Sequence, residues 1–260
     1  QQQFKSPKQK PAFMIKVRHW KKHYEGIEVL KDLHFEMEAG QTLAILGESG
    51  CGKSTLLKTL AGFEQPDAGS FFFNEEDINA LPVHERGVVY MSQEALLFPH
   101  LNVFDNLAYG LSIRKVAKAE QRQKVEALAK ELGIEDQLDK MPEELSGGQK
   151  QRVNFGRALI TQPRMLLLDE PFASLDSGTR LKMQELFIKS AQKWKLTTLF
   201  VTHDLKEALV VGALWAVMKD GELSLFKSKG DFIASEQSGA KAEMAFWQEI
   251  QRESGRKDDE

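Results

Sequence analysis

The sequence holds a single cysteine, Cys51. One thiol closes no internal disulfide and supplies no cysteine ligand set for a structural metal; such usage fits a reducing compartment. No apolar run approaches the ~20 residues that cross a bilayer. The longest nearly apolar stretch spans 208–218, so in any membrane process other chains must supply the spans. Positive charge is not in excess: Lys and Arg number 35 against 38 Asp and Glu, for a net charge of −3. That excludes a global basic field, and with it nucleic acid as the expected partner. The six histidines are scattered and show no ligand spacing. No secretory pattern opens the chain, which starts Gln-rich and basic without an apolar core. No internal repeat and no long heptad run are found. The rest of the composition, 260 residues with 42% hydrophobic and 28% charged, suits one large domain or one domain with a subdomain.

Residues 1–11 are polar, with three lysines and two prolines, and read as a mobile tail. Residues 13–18 and 33–37 alternate like strands. Strands are also expected at 70–73, 87–91, 165–168 and 196–201, with a hairpin over 214–226 turning at Asp220-Gly221. The run 165–168 is apolar at every residue, which suits a central parallel strand. Helical periodicity marks 120–132 and 181–194, and helices are expected at 53–61, 146–160 and 204–210. Ala242, Phe246, Trp247 and Ile250 are read as one stripe of a closing helix at 241–250. This order predicts an α/β chain: a mixed parallel sheet, an N-terminal antiparallel part, and a helical insert at about 94–160.

The residues Gly47, Glu48, Ser49, Gly50, Cys51, Gly52, Lys53, Ser54 and Thr55 follow the apolar run 42–46. A Gly-rich loop between a buried strand and a helix aims backbone N–H groups and a helix N-terminus at one spot, which suits a polyphosphate. Lys53 would reach the β- and γ-phosphates, and Ser54 would place its hydroxyl on Mg²⁺. The helix N-terminus is expected to lower the Cys51 thiol pKa, making it alkylatable, with ATP protecting.

The strand 165–168 ends in Asp169 and Glu170. Ligands of parallel sheets sit at the carboxyl ends of strands. Asp169 would therefore reach the Mg²⁺ near Ser54, leaving Glu170 to polarise a water attacking the γ-phosphate. Further on, Leu145-Ser146-Gly147-Gly148-Gln149 opens a helix. Ser146 is a natural N-cap, and two glycines in the first turn expose its N–H groups as a second anion site.

Together these pieces resemble the nucleotide-binding subunit of ATP-binding cassette (ABC) transporters over about 12–228, with 145–149 matching the family signature unchanged. The resemblance implies a P-loop NTPase core and further roles. Tyr24 stands where the family stacks an aromatic on adenine, with Trp20 close enough to compete. Gln93 looks like the glutamine that senses Mg²⁺ and the γ-phosphate, so Ser54, Gln93 and Asp169 form the implied metal set. Ser174-Leu175-Asp176 looks like the D-loop, and His203 like the switch histidine. Glu170, His203, Gln93 and Lys53 are the implied catalytic set. ATP and Mg²⁺ are the implied ligands.

The family pairs two such subunits head to tail, with ATP on one cradle capped by Ser146, Gly147, Gly148 and Gln149 of the other. A homodimer is the simplest form of that pair here. Two transmembrane permease subunits are expected to dock near 94–104, where residues 94–101 are unusually apolar and Pro99 argues against a plain helix. A substrate-binding protein and a place on the cytoplasmic face of the plasma membrane follow from the likeness to bacterial importers. The alternatives are an exporter subunit, or a soluble ABC ATPase acting on nucleic acid or ribosomes. The second commonly carries two cassettes or a long coiled-coil insert, whereas Lys53 and Leu145 stand only about 90 residues apart. Some thirty residues follow Lys229, read as a short extension over 229–260 without a regulatory β-domain.

Overall fold

The computed structural model describes residues 14–243 and 245. The stretch 1–11 and the stripe residues Phe246, Trp247 and Ile250 lie outside them.

The chain builds two sheets. In the first, four antiparallel strands take the order β2 (Ile27–Glu38), β1 (Met14–Tyr24), β4 (Ala68–Phe73) and β5 (Glu76–Asp77). The second has six strands in the order β10 (Glu222–Phe226), β9 (Leu214–Lys219), β3 (Thr42–Leu46), β8 (Thr198–Thr202), β7 (Met165–Asp169) and β6 (Val88–Met91). The five from β9 to β6 run parallel, and β10 returns antiparallel along β9.

Every residue of β3, β7 and β8 is buried, because helices cover one face of this sheet while α1 and the first sheet cover the other. Alternate residues serve two cores. Leu43, Ile45, Met165, Leu167, Leu199 and Val201 pack with α1 (Lys53–Ala61) and the four-stranded sheet. Ala44, Leu46, Leu166, Leu168 and Phe200 pack with α4 (Gly147–Leu159), α5 (Ser177–Trp194) and α6 (Leu205–Val211). Phe155, Phe172, Phe187 and Phe200 stack in this second core with ring centroids 5.6 to 6.5 Å apart. Burying each such ring contributes about 1.5–3 kcal/mol.

Between β6 and β7 the chain inserts α2 (Val103–Ile113), α3 (Lys118–Leu132) and α4, which pack on one another through Leu107, Leu111, Val125, Leu128, Leu132 and Val153. Helix α2 falls within the expected helical insert, although the sequence pattern assigns no separate helix there. Asn102 caps it, its side chain accepting from the Asp105 amide. A strand expected to end at 18 runs instead to Tyr24. Register shifts between Val17 and Trp20, and again between Trp20 and Lys22, break the alternation by which strands are recognised. A short helix α7 (Lys229–Ala234) follows β10.

The topology sets the site. The segments leaving the carboxyl ends of β3, β8, β7 and β6 carry residues 47–55, His203, Glu170 and Gln93, and these strands are neighbours in the sheet.

Candidate active site

Helix α1 starts at Lys53 and stops at Gly62, as its sequence predicts. Its N-cap, Gly52, has φ 110° and offers no side-chain cap. The first-turn amides therefore face the loop they follow, as a phosphate cradle requires. A Cβ on Gly52 would sit 2.9 Å from Met218 Cε and 3.0 Å from the Val29 carbonyl oxygen, so only glycine fits without displacement. Lys53 is buried. Its Nζ donates to the carbonyls of Gly47 (2.7 Å) and Glu48 (2.8 Å) and lies 3.6 Å from Glu170 Oε1.

Asp169 closes β7 and is buried. Its Oδ1 accepts from Ser54 Oγ at 3.1 Å, and its Oδ2 from the Tyr90 hydroxyl at 2.8 Å. A hydroxyl beside a buried carboxylate is the donor set that Mg²⁺ takes when held by few protein groups. The fit is met by Ser54 and Asp169. Gln93 lies just past β6, is exposed, and makes no hydrogen bond to either residue.

Tyr90 escaped the sequence reading. Its only signal was one phenol in the otherwise apolar strand 88–91. The ring packs edge-on against Phe63 at 5.5 Å. Burial, with the Asp169 carboxylate beside it, pushes its hydroxyl well above the ordinary range for tyrosine. The phenol thus stays protonated and serves Asp169 as a donor.

Glu170 adopts a left-handed backbone with φ 46°. Its amide donates to the Val201 carbonyl at 3.0 Å, and Gln151 of α4 donates to the carbonyl of the following Pro171. Strain of this kind persists only where neighbours over-determine it. The side chain bridges two groups, reaching His203 Nδ1 at 2.7 Å with Oε2 and Lys53 with Oε1. Behind His203, the Thr202 hydroxyl donates to buried Glu207 at 2.7 Å and Gln184 donates to it at 3.4 Å. Burial pushes the Glu207 carboxyl above its usual range, while the Thr202 bond opposes the shift.

The remaining residues are placed as follows. Tyr24 ends β1 half-exposed, its hydroxyl donating to Glu64 and its ring lying 5.2 Å from Lys22 Nζ. Trp20 is fully buried, and its Nε1 donates to Thr59 Oγ1 of α1 at 2.9 Å. That leaves Tyr24 as the accessible aromatic of the two. Asp176 caps α5, accepting from the Thr179 amide at 3.1 Å, and the Thr179 hydroxyl and then this amide lower its pKa. Ser146 and Gln149 form a reciprocal capping box, with bonds of 3.3 and 2.9 Å. No hydrogen bond among the described residues joins 145–149 to 47–55.

One expectation needs correction. The Cys51 thiol is raised, not lowered, because burial outweighs the pull of Lys53. It packs at the edge of the inter-sheet core. The two glycines of 145–149 differ in their surroundings. Gly147 faces open space, but a Cβ on Gly148 would lie 2.5 Å from Thr179 Cγ2 of α5. Close packing alone accounts for Gly148.

The family model described as ABC transporter matches residues 30–173. The chain is 41% identical over 209 residues to the Fe(3+) ions import ATP-binding protein FbpC of Fusobacterium nucleatum, a match covering 80% of this chain and 56% of the relative. It is 46% identical over 198 residues to the molybdate/tungstate import ATP-binding protein WtpC of Thermococcus kodakarensis, covering 75% and 59% respectively. The chain thus spans a little over half the length of these curated relatives. The solved structure of cbiO1 from Clostridium perfringens, part of the ABC transporter complex cbiONQ, superposes with a TM-score of 0.79 at 28% identity, covering 90% of this chain and 95% of that one. No helix among the described residues is long and apolar enough to cross a membrane. With the family model covering more than half of its residues, and with the cradle, the paired acids and the fold in agreement, the chain belongs to the ABC transporter family.

Proposed function

We propose that this chain is the ATP-hydrolysing subunit of an importer, dimerising on ATP to drive translocation through separate permease subunits. The observation that carries the reading is the Glu170 bridge between Lys53 and His203, set beside the Ser54–Asp169 contact at the ends of adjacent strands.

Residues 47–55 bind the phosphates through backbone amides, and Lys53 neutralises the β/γ pair. Ser54 and Asp169, with Gln93 completing the set, would hold Mg²⁺, which would neutralise charge on the phosphoryl oxygens. Glu170 orients the attacking water and accepts its proton, and His203 fixes the carboxylate in position. Tyr24 stacks on the adenine. A second copy closes the site: its Ser146–Gln149 segment meets the triphosphate, and exposed Gly147 leaves the approach open. Asp176, the N-cap of α5, is assigned to the same junction.

The permease surface is placed at 94–104. Leu96 there is 63% exposed. Buried Asn106 holds the turn below it, bonding Phe98, Leu101 and Asn102 backbones. Import, a binding protein and a peripheral place at the cytoplasmic face rest on the relatives' import roles. The reading assigns the 12–228 span to the ATPase unit.

The test is phosphate release from ATP by the purified chain. Release should require Mg²⁺ and fall at least a hundredfold in Lys53→Ala. A chain that binds ATP but releases no phosphate, alone or with its permease, overturns the reading.

A further inference from the structure

The scattered histidines do not stay scattered. Among the described residues His19, Asp32 and His34 are the one group of His, Cys, Asp or Glu side chains whose ligand atoms lie together, all within 4.8 Å of one another. All three are exposed. His19 Nδ1 lies 3.1 Å from Asp32 Oδ1, and His34 Nε2 lies 3.3 Å from Asp32 Oδ2. The two imidazole rings stand edge to face with centroids 4.5 Å apart.

The backbone is built to make this meeting. Between the pairs Val17↔Phe35 and Trp20↔Leu33, β1 has two residues against one on β2, so His19 sits in a bulge facing His34. Between Trp20↔Leu33 and Lys22↔Leu30 the excess reverses, and Asp32 sits in a bulge on β2. Both bulged residues are left-handed, His19 at φ 53° and Asp32 at φ 52°. A regular pair would send residues 18 and 19 to opposite faces, and two opposed bulges bring the three side chains to one face. Room for the first bulge comes from β4. A Cβ on Gly69 would lie 2.6 Å from the His19 carbonyl oxygen, and Gly69 itself has φ 110°. Backbone strain on two adjacent strands, with a glycine to accommodate it, marks a position held for a purpose.

We infer that His19, Asp32 and His34 form a binding site for one divalent transition-metal ion, none of them part of the phosphate cradle. Two imidazole nitrogens and one carboxylate oxygen suit a borderline cation of the Zn²⁺, Co²⁺ or Ni²⁺ type rather than Mg²⁺ or Ca²⁺. Exposure leaves further positions for water, as in open three-ligand sites. A tetrahedral ion with bonds of about 2.1 Å holds its donors roughly 3.4 Å apart. Small rotations of exposed side chains bring the trio to that spacing. Binding through His34 Nε2 moves that ring's proton to Nδ1 and gives up the bond from the His19 amide, at 3.4 Å the longest in the cluster. Lys21 Nζ, 3.9 Å from Asp32 Oδ1, opposes the ion, and it is exposed enough to swing aside. The ion would staple β1 to β2 one residue from Trp20, whose indole is tied to α1.

The test is titration of Zn²⁺ into the metal-free full chain without nucleotide, followed by calorimetry. Glu170 and His203, beside the cradle, also attract Zn²⁺, so the readout is the difference between proteins. His34→Gln and His19→Gln should each remove one site per chain, or weaken it at least tenfold, with zinc-free ATP hydrolysis unchanged. Lys21→Gln should tighten it about two- to fivefold. A purely structural bulge would not respond in that direction. In the unaltered protein, Zn²⁺ should shift the imidazole NMR resonances of His19 and His34 together at one equivalent. Identical isotherms for the unaltered and His34→Gln proteins, or imidazole resonances of His19 and His34 that do not move, overturn the proposal.

Discussion

Tyr90→Phe isolates a single hydroxyl. The phenylalanine keeps the ring and its edge contact with Phe63, and removes only the 2.8 Å donation to Asp169 Oδ2. Asp169 is buried, so its oxygen loses a partner that water replaces poorly. A hydrogen bond to a charged group contributes about 1.5–3 kcal/mol, and 1.4 kcal/mol is tenfold in an equilibrium constant. Ser54 still holds Oδ1, so the carboxylate keeps half of its anchoring. The lower end of the range therefore applies, and Mg²⁺ should bind about tenfold more weakly. Phosphate release measured against Mg²⁺ at saturating ATP should show the half-saturating Mg²⁺ concentration rising by that factor. Turnover at saturating Mg²⁺ should fall less than threefold. An unchanged Mg²⁺ dependence would show that Tyr90 does not position Asp169. A uniform loss of turnover at every Mg²⁺ concentration would place the effect elsewhere.

Three further outcomes follow from the same geometry. Gly148→Ala should lower stability by about 1 kcal/mol despite the helix propensity it gains, because the new methyl meets Thr179 Cγ2, and Thr179→Ser should restore it in a urea-melt double-mutant cycle. Asn106→Ala strips buried partners from the Phe98 amide and the Phe98, Leu101 and Asn102 carbonyls, and should cost about 1–3 kcal/mol by the same melt. Glu207 has a carboxyl raised by burial, so the folded state holds its proton to higher pH than the unfolded chain. Its contribution is fully present below the unfolded value near 4.5 and is lost as pH rises through the folded one. Glu207→Gln should flatten that part of the stability–pH curve, and an unaltered slope would remove Glu207 as its source.

Much of the site was legible because its motifs are local. The helix at Lys53 was bounded by Gly52 and Gly62, and the all-apolar strands announced burial on two faces. The two acids were expected to close a central strand, and β7 ends at Asp169. What stayed hidden depends on contacts far apart in the chain. Tyr90 meets Asp169 only because β6 lies beside β7. Cys51 looked activated from its place before a helix, but burial against the inter-sheet core outweighs that position. Histidines 15 residues apart became neighbours through opposed bulges that no periodicity reveals. Helix α2 was obscured because its cap, Asn102, follows a segment, 94–101, whose proline argues against a plain helix.

The central claim is that one copy supplies the cradle and another supplies the 146–149 lid. Sedimentation of Glu170→Gln with saturating Mg-ATP, in the presence of the cognate permease where the free chain is insufficient, measures it directly. The account predicts dimers that dissociate when Ser146→Arg is combined with the first change. Protein that stays monomeric under these conditions, or dimers indifferent to Ser146, would contradict it.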